Sequence, residues 1–75
     1  MPKVNRHEGP VDEKGIGSRI RDIRKRRGLT QVELAQKLGI EQSLVSHYER
    51  GAVRIHGSLV AKLASILKVS SDELL

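Results

Sequence analysis

Two stretches with helical periodicity, one closing at Leu38 and the next opening near Glu41, are separated by only Gly39 and Ile40. Helices joined by so short a link cross steeply instead of lying antiparallel. At the crossing the backbones approach closely, so a small residue must face the partner helix, and Ala35 holds that place. The turn needs a residue tolerant of positive φ, which Gly39 supplies. A branched side chain must then anchor the second helix, the part expected of Val45. The first helix of the pair opens at Thr30 with Glu33 three positions on. That is a capping-box spacing, in which each residue satisfies a backbone donor of the other.

Helical periodicity continues on both sides. Ile16, Ile20 and Ile23 stand at i, i+4, i+7 in a stretch from about 15 to 27. Leu34, Ala35 and Leu38 line the next stretch, and Val45 and Tyr48 mark the apolar side of 41–50. Val60, Leu63, Ala64 and Leu67 are in register over roughly 57–68, and a last turn runs from Ser70 or Ser71 to Leu74 and Leu75. Gly28, Gly39, Gly51 and Gly57 separate these stretches as helix terminators, with none expected inside one. Strand-like alternation is missing. The expected fold is an all-α, compact five-helix domain with an aliphatic core, since Tyr48 is the only aromatic residue.

Residues 1–14 carry both prolines and few apolar groups, so they are expected to form a flexible arm ahead of an ordered domain at 15–75. A chain of 75 residues holds one small domain and buries only about 60% of its unfolded surface. A deep pocket or cofactor fold has little room. There are no cysteines, which removes disulfides and thiolate chemistry. No apolar run approaches the ~18 residues of a membrane span and no signal peptide opens the chain, so a cytoplasmic setting is the default.

Fourteen Lys and Arg against nine Asp and Glu give a net charge of +5, which points to a polyanionic partner, although a merely soluble basic surface gives the same balance. The first helix concentrates this charge in Lys14, Arg19, Arg21, Arg24, Lys25, Arg26 and Arg27 against Asp22 alone. Arg21 and Lys25 project opposite the isoleucine face and are expected to be solvated. On helix 41–50, at about 100° per residue, Gln42, Ser43, Ser46, His47 and Arg50 fall within about 140° of one another, while Leu44, Val45 and Tyr48 fall on the other side. A solvated face would show the same pattern. The position of this helix between a capping-box helix and a Glu-Arg-Gly exit favours a reading face. His7, His47 and His56 are not at metal-ligand spacing, and no nucleophile elbow or phosphate-binding glycine loop is present. No catalytic residues, metal, cofactor or small-molecule effector site are therefore expected.

The stretch Thr30-Gln31-Val32-Glu33-Leu34-Ala35-Gln36-Lys37-Leu38-Gly39, followed by Gln42-Ser43-Leu44-Val45-Ser46-His47-Tyr48-Glu49-Arg50-Gly51, resembles the phage repressor and Cro-type (XRE-like) helix-turn-helix family. The likeness runs from Arg24 through Leu63-Ala64-Ser65-Ile66-Leu67 to Asp72-Glu73-Leu74-Leu75. It implies a transcription regulator that binds an operator in double-stranded DNA, usually as a homodimer, with helix 41–50 in the major groove.

Under that resemblance Gln42, Ser43, Ser46 and His47 are the expected base readers. The Gln42 amide suits the N7 and N6 edge of adenine, and His47 suits guanine N7 or O6, or a phosphate. Gln31 resembles the family position that clamps a phosphate at a helix N-terminus. Arg50 and Arg54 flank the reading helix as phosphate contacts. Arg24 is expected both to pair with Glu49 and to face phosphate. Thr30, Glu33, Ala35, Gly39, Val45 and Glu49 carry the structural motif. The arms of some relatives reach around the duplex or into a minor groove, which would give Lys3 and Arg6 a contact, although a disordered tail without a role is the stronger expectation. Relatives pair through the loop before the fourth helix and through the last helix, which makes Ile55, Leu74 and Leu75 dimer candidates, although the two leucines would equally close the core.

Three departures from the family pattern stand out. Glu41 replaces a Ser or Thr cap, Leu44 stands beside the reading face, and the loop Ala52–His56 lacks a proline. The alternative function is an antitoxin or adaptor that keeps this fold but acts through a partner protein.

Overall fold

Ile16, Ile20 and Ile23 form the buried stripe of the first helix, α1 (Glu13–Arg26), around which the others assemble. The computed structural model describes residues 13–75. After α1 come α2 (Gln31–Leu38), α3 (Gln42–Glu49), α4 (Gly57–Leu67) and α5 (Ser71–Leu74). There is no strand among the described residues. Helix α1 begins at Glu13, two positions ahead of Gly15, while Lys3, Arg6 and the rest of the expected arm before Glu13 lie outside the described residues. Gly57 is not a separator: His56 is the N-cap and Gly57 the first residue of α4.

The α2 boundaries follow from local chemistry. Glu33 N–H donates to Thr30 Oγ1 at 3.0 Å, and Thr30 N–H donates to Glu33 Oε1 at 2.8 Å. This reciprocal pair closes the capping box and leaves the first-turn amides of Gln31 and Val32 without intrahelical acceptors. At the other end Gly39 takes φ 74°, ψ 31°, and Ile40 N–H returns to Ala35 O at 3.0 Å. The left-handed residue reverses the chain within one position, which lets α3 start at Gln42 and cross α2.

The core gathers the three isoleucines with Leu34, Ala35, Leu38, Val45, Val60, Leu63, Ala64 and Leu67. Each fully buried aliphatic side chain contributes about 1.5–3 kcal/mol relative to exposure. Two expected dimer candidates belong here instead. Ile55, from the loop before α4, is 8% exposed, and Leu74 of α5 is 0% exposed. A chain this small has few apolar groups to spare, and both are consumed in the core. Only Leu75 stays outside, at 56% exposure.

Helix α3 is set by an unusually close approach to α1. A Cβ on Gly17 would lie 2.3 Å from the Tyr48 carbonyl oxygen and 2.7 Å from that of Glu49. The α1 backbone therefore seats directly on the last turn of α3.

Three basic side chains cap distant helix ends. Arg27 Nε donates to Leu67 O at 2.8 Å and its Nη2 to Lys68 O at 3.1 Å. Lys62 Nζ donates to Leu38 O at 3.1 Å, and Arg19 Nη1 to Leu74 O at 3.3 Å. Cations at carbonyl-rich C-termini satisfy orphan acceptors and oppose the negative end of the helix dipole. Part of the positive charge of α1 is thus structural and does not look outward.

Candidate nucleic-acid interface

A hydrogen-bonded chain runs from the interior to the outer face of α3. At its root Arg24 Nε donates to Glu49 Oε2 at 2.6 Å and Nη2 to Glu49 Oε1 at 3.1 Å. Arg24 Nη1 donates to Leu29 O at 2.8 Å. Both partners are 7% exposed, so their charges compensate each other in the two-pronged geometry that favours arginine with carboxylate. From there Gln31 Nε2 donates to Glu49 Oε1 at 3.0 Å, and Gln42 Nε2 donates to Gln31 Oε1 at 2.6 Å. Glu49 thereby locks the amide of α2 that in turn holds the first side chain of α3.

Each amide keeps unused capacity. An amide nitrogen carries two hydrogens and its oxygen two lone pairs. Gln42, on the exposed face, retains one N–H and its Oε1, a donor and an acceptor side by side. Gln31 retains one N–H beside the two free first-turn amides of α2.

The pairing expected of Arg24 and Glu49 is present. The guanidinium bonds Glu49 and Leu29 through all three nitrogens, keeps two further N–H groups, and Arg24 lines the hollow beside Gln31.

Ser43 and His47 are exposed on the outer face of α3, and Ser46 is half-buried. Arg50 folds back along this face: Nη1 donates to Ser46 Oγ at 3.1 Å, and Nη2 lies 2.9 Å from His47 Nδ1. Arg54 is exposed in the loop beyond. Leu44 is half-buried and is not packed into the aliphatic cluster, which leaves it beside the polar face. Glu41, at φ −81°, ψ 150°, sits as the N-cap of α3 without a side-chain cap bond.

Two residues were given no part in the interface from the sequence. Arg21 and Lys25 are exposed as expected, yet they line a hollow of about 280 Å³ together with Arg24, Gln31, Ser46, Glu49 and Arg50. Their spacing of one helical turn was the available signal. Only the packing of α1 on α3 reveals that this turn borders Gln31 and Ser46.

The face therefore combines an amide with paired donor and acceptor, exposed hydroxyl and imidazole groups, a helix N-terminus with free amides, and a rim of arginine and lysine. Such a set suits an extended polyanion whose edges carry hydrogen-bonding groups.

Comparison with known proteins adds independent findings. Residues 20–74 match the model of the helix-turn-helix family. Over 58 residues the chain is 40% identical to YazB of Bacillus subtilis, an uncharacterized helix-turn-helix-type transcriptional regulator, covering 77% of this chain and 84% of that protein. It spans about half the length of some other curated regulators that it matches. Among solved structures, the restriction-modification controller protein C.AhdI from Aeromonas hydrophila superposes with a TM-score of 0.80 at 34% identity, over 85% of this chain and 97% of that one. The biofilm master regulator SinR, crystallised in complex with DNA, gives a TM-score of 0.73 at 35% identity, over 79% of this chain and 95% of that one.

Proposed function

This chain belongs to the helix-turn-helix family of transcriptional regulators, and from that premise we propose that it reads a specific operator in double-stranded DNA with α3 in the major groove. The observation that carries the reading is the chain Arg24–Glu49–Gln31–Gln42. It holds Gln42 with one N–H and one carbonyl oxygen free, the complement of adenine, whose N7 accepts and whose N6 donates. Ser43, Ser46 and His47 extend the base-reading face along the groove.

Phosphates flank this contact. The free N–H of Gln31 and the first-turn amides of α2 form an anion site. Arg21 and Lys25 supply charge around it, and Arg54, exposed in the loop after α3, supplies charge beyond the reading helix. Phosphate contacts position the domain and base contacts specify the sequence.

The protein works as a repressor or as a switch of the restriction-modification controller kind, in the cytoplasm, through binding without catalysis. No helix among the described residues is long and apolar enough to cross a membrane. Two copies pair on a palindromic operator, with half-sites about one helical turn, roughly 34 Å, apart. Of the residues expected at that contact, Leu75 is the one that stays exposed.

Selection of bound duplexes from a randomised library, with the preferred sequence titrated across salt, tests this reading. The expected result is a twofold-symmetric consensus containing adenine. Gln42→Ala should relax that base by about 1–3 kcal/mol. Binding with a steep salt dependence but no consensus would leave charge as the sole basis of affinity, and a partner-protein role, as antitoxin or adaptor, would replace this proposal.

A further inference from the structure

We propose that Arg50 is a positioning residue for specificity: by engaging Ser46 and His47 together it makes His47 a fixed donor that selects guanine. The inference rests on the operator-reading function above and names a second base class for it.

The argument starts from what a guanidinium can do. It carries only donors and does not deprotonate in proteins. At 2.9 Å from Arg50 Nη2, His47 Nδ1 must therefore be the acceptor. The neutral ring then keeps its proton on Nε2, the nitrogen remote from Arg50. The same logic applies to Ser46, whose Oγ accepts from Arg50 Nη1 at 3.1 Å. Its hydroxyl hydrogen is left to donate elsewhere.

One side chain from the end of α3 thus reaches back three and four positions and gives two neighbouring groups the same polarity. Because both terminal nitrogens are held, the guanidinium also restricts rotation of the imidazole on an otherwise exposed helix face.

An outward Nε2–H needs an acceptor. Guanine offers two on its major-groove edge, N7 and O6, whereas adenine follows N7 with an N6 amino group that repels a donor. Aimed at O6, this donor distinguishes guanine from adenine, which presents an N6 donor in the same place, while Gln42, with both a donor and an acceptor free, takes adenine. The two readers divide the purines between them.

The test uses the full chain and the sequence obtained by library selection. In wild type, replacing the guanine opposite His47 by adenine or by 2-aminopurine, neither of which carries O6, is expected to weaken binding roughly tenfold, the lower end for a direct base contact. Arg50→Lys keeps the charge but presents one nitrogen in place of two. It should retain most of the salt dependence while its guanine preference falls to about that of His47→Ala, and the adenine preference at Gln42 should remain. Nitrogen NMR of the free protein gives a readout independent of DNA: a pyrrole-type Nε2 and a pyridine-type Nδ1 in wild type, with exchange between tautomers increased in Arg50→Lys and in Arg50→Met.

The inference is overturned if both Arg50 variants keep the guanine preference. It is equally overturned if they weaken all sequences alike and lower the salt slope by about one phosphate contact, roughly 0.9, since Arg50 would then be a backbone contact. Absence of any consensus for wild type would instead remove the operator-reading function itself. That result is distinct from either outcome with Arg50.

Discussion

Gly17 of α1 and Tyr48 of α3 are so close that a single added methyl carbon would fall 2.3 Å from the Tyr48 carbonyl oxygen. The obstacle is backbone, which cannot rotate aside. Gly17→Ala would gain about 1 kcal/mol in helix propensity. Overpacking against a fixed backbone costs about 1–3 kcal/mol or more, so α1 and α3 should be forced apart. The expected outcome is a net loss of stability in urea unfolding. Displacement of α3 should also lower affinity for the preferred operator at temperatures where the variant remains folded.

The pair Arg24–Glu49 predicts an asymmetric mutational pattern. Glu49→Leu leaves a guanidinium buried without its counter-charge and removes the acceptor of Gln31. The expected cost is about 3–5 kcal/mol. Replacing both residues, as Arg24→Met with Glu49→Leu, should recover most of this stability, because an apolar pair of similar size avoids the desolvation penalty. Operator affinity should not recover, since Gln31 still lacks its anchor. Denaturation and binding curves on the same three proteins separate the two effects.

Arg21 and Lys25 of α1 line the hollow beside Gln31 and Arg50, where the proposed function sets them against phosphate. Changing either one to Ala should lower the slope of log affinity against log salt by about 0.9 if it holds one phosphate. Base preference should be unchanged. Arg54→Ala should behave in the same way. Arg26 does not line that hollow, and Arg26→Ala should leave the slope nearly intact, which makes it the internal control for a general charge effect.

Glu41 begins α3 in the extended geometry of an N-cap but makes no side-chain cap bond. Ser accepts the first-turn amides better than Glu does, so Glu41→Ser should add about 0.5–1 kcal/mol. It also removes a negative charge from the end of α3 that the proposed function turns toward phosphates. Thermal unfolding should shift upward, and affinity should rise for all DNA sequences alike, with a larger gain at low salt.

Features built from neighbours in sequence were legible before the structure was known. The Thr30–Glu33 box and the left-handed Gly39 depend on spacings of a few residues. The isoleucine stripe of α1 is a periodicity within one helix. The functions of arginines were harder to read, because an Arg on a helix face looks the same in sequence whether it meets solvent, a carbonyl or a carboxylate. Arg27 and Arg19 satisfy carbonyls 40 and 55 positions away, a relation that no local pattern encodes. Ile55 and Leu74 were candidates for pairing because the resemblance puts the dimer contact in that loop and the last helix, and three-dimensional packing shows that the core claims both. The reach of Arg50 to Ser46 and His47 was within sight. Spacings of three and four residues place side chains on one helix face, but charge near a groove suggested phosphate first.

The glutamine pair at the surface also bears on the entropy of recognition. Ordering a rotamer-rich side chain on association costs about 0.5–1.5 kcal/mol. Gln31 and Gln42 restrain one another at 2.6 Å through a chain anchored on a buried carboxylate. Much of that ordering is completed when the protein folds, and encounter with DNA need not wait for either amide to find its rotamer. Association should therefore proceed in a single kinetic phase, with discrimination between sequences residing in the lifetime of the complex.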